Sequence, residues 1–491
     1  MKSESPPDDQ LNLAQVTLKG AFWAYLARYS GKFIVFISTI ILARLLDKAD
    51  FGLVGYALVL TNFLDMLNDM GVGSALVYYA EDEEASSSAF WMITGFGFLL
   101  LVITWLAAPL VGIFFQDERA VLITRIMGIT FPIDALGKVH TNLLSKNLAW
   151  RKGFFPSFSR LAIKGIFSVI LALLGYGAWS LVWGNILGSI TYVIVAWVVM
   201  PWRPTLLFNR KIAKDLSSYG LNVSVINVLS YFLRDSDYLF VGRFLGSAAL
   251  GVYTLAFRLP DLMIYQFINV ISKITFPIYV KLNENVEKLK HSYLEMTKYI
   301  AFFSVPLGLG LILVARPLIL VFYTATWAEA IPVVQAISAY ALVSTLGRNS
   351  GSIFRSIGRP DVLTKMAILR AFILLPAMYW AVTQIGTIAS VGWIHAVIAF
   401  FASLLNLWMV DRIVKISIWD SIKVMLPAFW SGALMALGVW AILDLVGPLA
   451  PILQLVSAVM GGGFIYLTLL SWQDRTLIQK ARKIITVRLQ Q

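Results

Sequence analysis

The chain has no cysteine, which rules out a disulfide framework, thiol catalysis and any metal site built on thiolates. Histidine is scarce, at three residues, and His140 has no second histidine or carboxylate at ligand spacing, so it offers no metal site. Charge is the next shortage. Only 14% of residues are Asp, Glu, Lys or Arg, against about a quarter in soluble domains. No glycine-rich loop ending in Lys-Ser or Lys-Thr is present, so ATP hydrolysis within the chain is unsupported, and no catalytic constellation stands out. The start, MKSESPPDDQ, has no basic segment joined to an apolar core, so a cleaved signal peptide is not expected.

What is there instead is hydrophobic sequence. Of 491 residues 59% are apolar and the mean hydropathy is +0.77. Charge-poor runs recur from end to end, each about 20 residues and long enough to cross a hydrocarbon core of roughly 30 Å. The runs are continuous rather than alternating, which excludes a β-barrel. The expected fold class is an all-α polytopic membrane protein with about fourteen transmembrane helices. The net charge of +13 is assigned to cytoplasmic loops rather than to nucleic-acid binding. Loops after even-numbered spans carry most of the Lys and Arg, among them Arg151, Lys152, Arg210, Lys211, Lys281, Lys288, Arg355, Arg359, Arg412 and Lys415. The other side has few, such as Arg44, Arg119 and Arg243. Both termini are therefore expected inside.

One stretch occurs twice. ARLLDKADFGLVGYA (43–57) aligns without a gap on GRFLGSAALGVYTLA (242–256), with Arg44 on Arg243, Gly52 on Gly251 and Ala57 on Ala256. Each reads as a helix–turn–helix joint between two spans. Ala107-Ala108-Pro109-Leu110 further matches Ala315-Arg316-Pro317-Leu318, and Leu136-Gly137-Lys138 matches Leu346-Gly347-Arg348. Copies six spans apart share an orientation, which predicts two six-helix lobes related by a parallel internal repeat. The expected divisions are a cytoplasmic tail at 1–17, an N-lobe at 18–209, a C-lobe at 210–411, an additional helix pair at 412–472 and a basic tail at 473–491.

Ionisable groups inside spans are costly and are functional candidates. Arg28 and Lys32 share a face of the first span, with Arg28 about ten residues in and so roughly 15 Å deep. Two readings are open: a salt bridge to Asp65 and Asp69, which share a face of the second span, or binding of a phosphate-bearing headgroup. Arg234 and Arg258 are candidate substrate contacts, with local pairing to Asp237 and Asp261, three residues on, as the other reading. Arg160 and Lys164 share a face of the fifth span. Arg160 is placed near the inner surface, where it can snorkel, and Lys164 lies deeper. Lys138 with His140, and Arg348 with Asn349, come from equivalent positions of the repeat and are candidates to line a cavity. Arg44 and Arg243 sit at outer helix ends, where they are expected to cap C-termini and gate the outer mouth. Tyr25, Tyr231 and Trp179 are candidates for stacking on sugars. An excess of buried cations suits an anionic substrate better than a cationic drug.

The chain resembles the polysaccharide-transporter (WzxC-like) branch of the multidrug/oligosaccharidyl-lipid/polysaccharide exporter superfamily. The stretches that carry this are ILARLLDKADFGLVGYALV (41–59), DMGVGSALV (69–77), SAFW (88–91), GYGAWSLV (175–182), WRP (202–204), DYLFVGRFLGSAALGVYTLAFRL (237–259), ITFPIYVKL (274–282), ARPLI (315–319) and WAEAIPVVQ (327–335). The resemblance implies two six-helix lobes around a central cavity and, by alternating access, export of an undecaprenyl-pyrophosphate-linked oligosaccharide across the inner membrane. It implies no enzyme activity and no cofactor, with a proton or sodium gradient as candidate energy source. The lipid-linked oligosaccharide and the bilayer are the expected partners, a polysaccharide polymerase and glycosyltransferases are candidates, and nucleic acid is not one. An ion-coupled antiporter of small organic molecules and a membrane scaffold for polymer assembly are the alternatives. The first would want acidic cavity residues without excess cations.

Overall fold

The computed structural model describes residues 30–68, 83–147 and 149–473, with backbone alone at 150, 214–234, 266, 267, 269, 270, 273 and 274. In hydrocarbon no water is available to backbone N–H and C=O groups, so long apolar runs satisfy them internally as helices. In chain order these are α1 (30–45), α2 (Lys48–Asn68), α3 (Glu83–Phe115), α4 (Arg119–Lys146), α5 (Trp150–Leu173), α6 (Ala178–Val199) and α7 (Arg210–Pro260). A π turn, Asp261–Tyr265, leads into α8 (Gln266–Leu282), followed by α9 (Val286–Phe322), α10 (Ala330–Leu346) and the short α11 (Asn349–Ser356). The last four are α12 (Pro360–Trp380), α13 (Ile388–Val414), α14 (Ile418–Leu445) and α15 (Pro451–Gln473).

Among the described residues, 12 helical stretches are long and apolar enough to cross a membrane. Two differences separate this from the expected fourteen. Of the first expected span only 30–45 is described. The expected spans at 219–245 and 250–279 fall on α7 and α8, where Asp235–Tyr265 is the qualifying stretch. Large apolar side chains face outward along these helices: Leu106 is 76% exposed, Phe372 76% and Phe464 74%. Such exposure is a liability in water and ordinary where the solvent is lipid. The chain is a multi-pass, all-helical membrane protein.

Residues up to Gly251 form one compact unit and those from Val252 onward another. Within the first, α5 packs along α6, α3 along α4, and α2 against α4. Within the second, α9 contacts α10, α14 and α15, while α13 lies along α10 and α8 meets α11.

Both matched stretches are joints. α1 gives way to α2 across residues 46–47, and α7 breaks at Gly246, whose φ of 87° and ψ of 178° only glycine adopts cheaply. The joints lie against each other in the first unit, and the contact is reciprocal. A Cβ on Gly52 would strike the backbone of Ser247, and one on Gly251 the backbone carbonyl of Lys48. Small residues are what let membrane helices approach so closely. One turn on, the Tyr56 hydroxyl donates to the carbonyl of Gly242 at 3.2 Å, and its ring stacks on Phe115 with centroids 4.2 Å apart. Asp50 ties the joint to a third motif. Its carboxylate accepts from the N–H of Asp47 at 3.2 Å and from the N–H of Ala178, at the start of α6, also at 3.2 Å. A carboxylate there also suits the positive end of the helix dipole.

SAFW and WRP meet in the same fashion. At the start of α3, Ser87 Oγ accepts from the N–H of Thr205 at 3.1 Å, and Ser88 Oγ from that of Asn209 at 2.9 Å. Trp91 donates its indole N–H to the carbonyl of Thr205 at 2.8 Å. Phe90 and His140 join Trp197 and Trp202 in one aromatic cluster. The stretch after α6 is thereby sewn to α3 and α4.

Replacing Gly52 or Gly251 by valine forces apart two backbones that cannot repack, at an expected cost of about 3 kcal/mol or more. Thermal unfolding in detergent should show a lowered midpoint for each variant, while Gly153→Ala, with open space around it, should match the wild type.

Candidate functional site

The first unit gathers five of its intramembrane charges from three helices. Asp134 and Lys138 lie one turn apart on α4, as do Arg160 and Lys164 on α5, so each pair shares a face. Arg160 Nη2 donates to Asp134 Oδ2 at 2.8 Å. Lys138 Nζ stands 3.8 Å from Oδ1 of Asp65 on α2, and Lys164 donates to Asn185 Oδ1 at 2.9 Å. Tyr192 joins the rows: Arg160 rests 5.6 Å from its ring centre, and its hydroxyl lies 3.0 Å from Thr141 Oγ1. Exposure varies across the set: 6% for the Asp134 side chain, 19% for Lys138, 32% for Arg160 and 60% for Asp65. The Arg160–Asp134 pair is short and its carboxylate is buried, and so it is structural. The Lys138–Asp65 pair is long and wet, and an anion could displace Asp65 from Lys138 at little cost.

This arrangement corrects three expectations. Asp65 takes Lys138 as its ion-pair partner, because α4 is the helix that packs on α2 in this unit. Arg160, part-exposed, is held by a buried carboxylate one helix away, a partner the snorkelling expectation did not include. His140 lines no cavity. It is fully buried, 3.2 Å from the carbonyl of Trp202 and stacked on Trp197 with centroids 4.7 Å apart.

At the joint, Arg243 caps a helix other than its own. Its guanidinium donates to the carbonyl of Phe114 at 2.7 Å, at the C-terminal end of α3, and lies over the Phe114 ring. Positive charge is favoured at such an end. Nearby, Arg119 grips Asp117 through two bonds of 3.0 and 2.8 Å and holds that carboxyl below its usual range. Arg44 sits exposed at the end of α1 and is engaged with a neighbour.

In the second unit, aromatic rings stand beside two of the cations. Arg348, between α10 and α11, stands 5.1 Å from the ring centre of Tyr265. The π turn after Pro260 ends on that tyrosine, and such turns re-aim side chains at functional sites. Tyr265 meets Ser344 Oγ at 3.1 Å and the ring of Tyr340 at 5.9 Å. Arg370 of α12 donates to the Tyr340 hydroxyl at 3.1 Å, and His395 of α13 lies against the same ring. Below this, Asn349 locks α11 in place. It accepts from Tyr279 at 3.0 Å and donates to Thr297 Oγ1 at 2.9 Å and the carbonyl of Tyr293 at 3.2 Å. Asn349 is therefore a buried brace and lines no cavity. Arg348, its neighbour, borders an opening of about 310 Å³ shared with Arg355 and Asn406.

Other expected residues are placed less fully. Arg28, Asp69 and Tyr25 lie outside the described residues, as do the side chains of Arg234 and Tyr231. Lys32 is half-buried on α1 and engaged. Asp237 is buried and accepts from the N–H of Tyr238 at 3.0 Å. Arg258 and Asp261 are half-buried and engaged, flanking the entry to the π turn. Sequence reasoning passed over Asp134, Tyr340, Arg370 and His395. Asp134 was findable as the carboxylate one turn before Lys138, and Arg370 as a lone cation inside an apolar run.

The model of the family described as "Polysaccharide biosynthesis protein" matches residues 41–332. The chain belongs to that family. Among its relatives, the teichuronic acid biosynthesis protein TuaB of Bacillus subtilis (strain 168) is 26% identical over 422 residues, 83% of this chain and 85% of its own. The succinoglycan biosynthesis transport protein ExoT of Rhizobium meliloti (strain 1021) is 25% identical over 472 residues, 95% of each. Of solved structures, the lipid II flippase MurJ in its inward closed conformation shares the fold, with a TM-score of 0.75, 16% identity, and coverage of 93% of this chain and 99% of its own.

Breaking the Arg160–Asp134 pair of the first unit should destabilise the protein. Asp134→Asn and Arg160→Met should each cost about 3 kcal/mol, the low end for buried pairs because part of Arg160 is exposed. Together they should cost clearly less than the sum. Denaturant unfolding of the four proteins measures the coupling; simple additivity would contradict the pairing.

Proposed function

We propose that this chain moves a lipid-linked oligosaccharide with an anionic pyrophosphate linkage across the inner membrane, for assembly of a surface or secreted polysaccharide. Family membership narrows the setting to polysaccharide biosynthesis. The observation that carries the reading is the set of cations within the apolar spanning stretches of each unit: Lys138 and Lys164 in one, Arg348 and Arg370 in the other. Cations kept inside spans at such cost mark a path for negative charge, and arginine suits the oxygens of a phosphate. ExoT is a transport protein and MurJ a lipid II flippase by name, which agrees with translocation rather than chemistry. Alternating access fits a chain of two compact units. The loop charges favour cytoplasmic termini. A proton or sodium gradient would drive the cycle, and polymerase and glycosyltransferases would stand on either side of it.

Reconstitution tests this. In proteoliposomes, a fluorescent lipid-linked oligosaccharide should change leaflet at a rate set by the protein. Replacing Lys32 and Lys138 together by glutamine should slow it at least about tenfold, the effect of losing one charge-assisted contact. Efflux of a small organic cation with no lipid movement would favour the antiporter. No protein-dependent movement of either would favour the scaffold.

A further inference from the structure

The opening beside Arg348 does not end at its polar walls. Its lining comprises Ser272, Gly347, Arg348, Gly351, Arg355, Leu363 and Asn406, around about 310 Å³. Two of these, Leu363 and Asn406, also line a second cavity of about 360 Å³. That one is an apolar slot between α12 and α13, walled by Met366, Leu369 and Ile373 on one helix and Ile398, Phe401 and Leu405 on the other. Arg370 borders it with its guanidinium turned to Tyr340. The two cavities thus share two wall residues, with arginines lining the first and mostly apolar side chains lining the second.

The dimensions match one lipid leaflet. From Leu363 to Ile373 the slot follows α12 for roughly 15 Å at 1.5 Å per residue, about half the roughly 30 Å hydrocarbon core. Neighbouring helices stand about 8–10 Å apart, so a slot between two of them takes a single chain. At its polar end, Arg355 donates to the carbonyl of Gly351 at 3.1 Å and stands 5.6 Å from the ring centre of Phe276. Asn406, where the cavities meet, makes no side-chain hydrogen bond to the described residues, and its amide is available to a ligand. We infer that this site binds a single-chain polyprenyl pyrophosphate, its phosphates against Arg348, Arg355 and Asn406 and its chain in the slot between α12 and α13. The inference rests on the transport reading for the identity of the lipid. It adds where, in the second unit, headgroup and chain are held.

The experiment uses the whole chain in nanodiscs and a polyprenyl pyrophosphate with a benzophenone on its chain. After irradiation of the wild type, the label should map to α12 and α13 between Leu363 and Ile373 and between Ile398 and Asn406. R348Q with R355Q should weaken probe binding about tenfold or more, as expected for lost charge-assisted bonds. Ala402→Trp, which fills the slot, should weaken it similarly and leave binding of inorganic pyrophosphate unchanged. Label found elsewhere in the wild type overturns the proposal without need of any variant. Equal displacement of the probe by phosphatidylglycerol overturns it too, since the slot would then be an ordinary lipid contact. If the label maps elsewhere while the oligosaccharide lipid still changes leaflet, the slot is wrong and the transport reading stands. If the slot is labelled and nothing is translocated, the slot stands and the transport reading falls.

Discussion

A guanidinium or ammonium group removed from water costs several kcal/mol unless its neighbours replace the lost hydration, and that constraint shapes both units. The first meets it with carboxylates. Asp134 holds Arg160 and Asp65 holds Lys138, with Tyr192 and Asn185 filling in beside them. In the second, aromatic rings, a hydroxyl and a carbonyl are among the groups beside the cations: Tyr265 under Arg348, Tyr340 against Arg370, Phe276 and the Gly351 carbonyl for Arg355. A carboxylate cancels charge, whereas a ring only steadies it.

Several of the stretches that carry the family resemblance take part in joints. Gly52 and Gly251 allow two helix turns to touch backbone to backbone. Asp50 fastens that joint to the glycine-flanked start of α6, and SAFW receives the segment after WRP through Ser87, Ser88 and Trp91. These contacts specify how helices meet. They require exact small or polar residues, because a Cβ or a missing hydroxyl at such a place has no remedy in a lipid-surrounded bundle. The cations proposed to meet the substrate lie elsewhere, outside the joints.

That division explains what the sequence disclosed. Membrane class and helical architecture were legible because hydrocarbon tolerates few alternatives, and the joint at 43–57 and its match at 242–256 because turns need particular residues. Lys138 and Arg348 could be singled out as charges within apolar runs. Their partners could not. Helical spacing fixes which residues share a face of one helix, but nothing in it says that α4 rather than α1 supplies the ion-pair partner of Asp65, or that Arg160 finds Asp134 26 residues earlier. The site around Arg348 was hidden for the same reason. Tyr265 reaches it through a π turn that shifts the helical register, and Tyr340, Arg370 and Asn406 come from three further helices.

The central claim is that buried cations act on the negative charge of a lipid-linked sugar. The most direct measurement compares two fluorescent lipids with the same chain and oligosaccharide, one joined through pyrophosphate and one through a neutral glycoside, in proteoliposomes containing the wild-type protein. The account predicts that the pyrophosphate lipid changes leaflet at least about tenfold faster, corresponding to roughly 1.4 kcal/mol or more of preferential stabilisation. Equal rates would mean that the cations serve only to hold helices together.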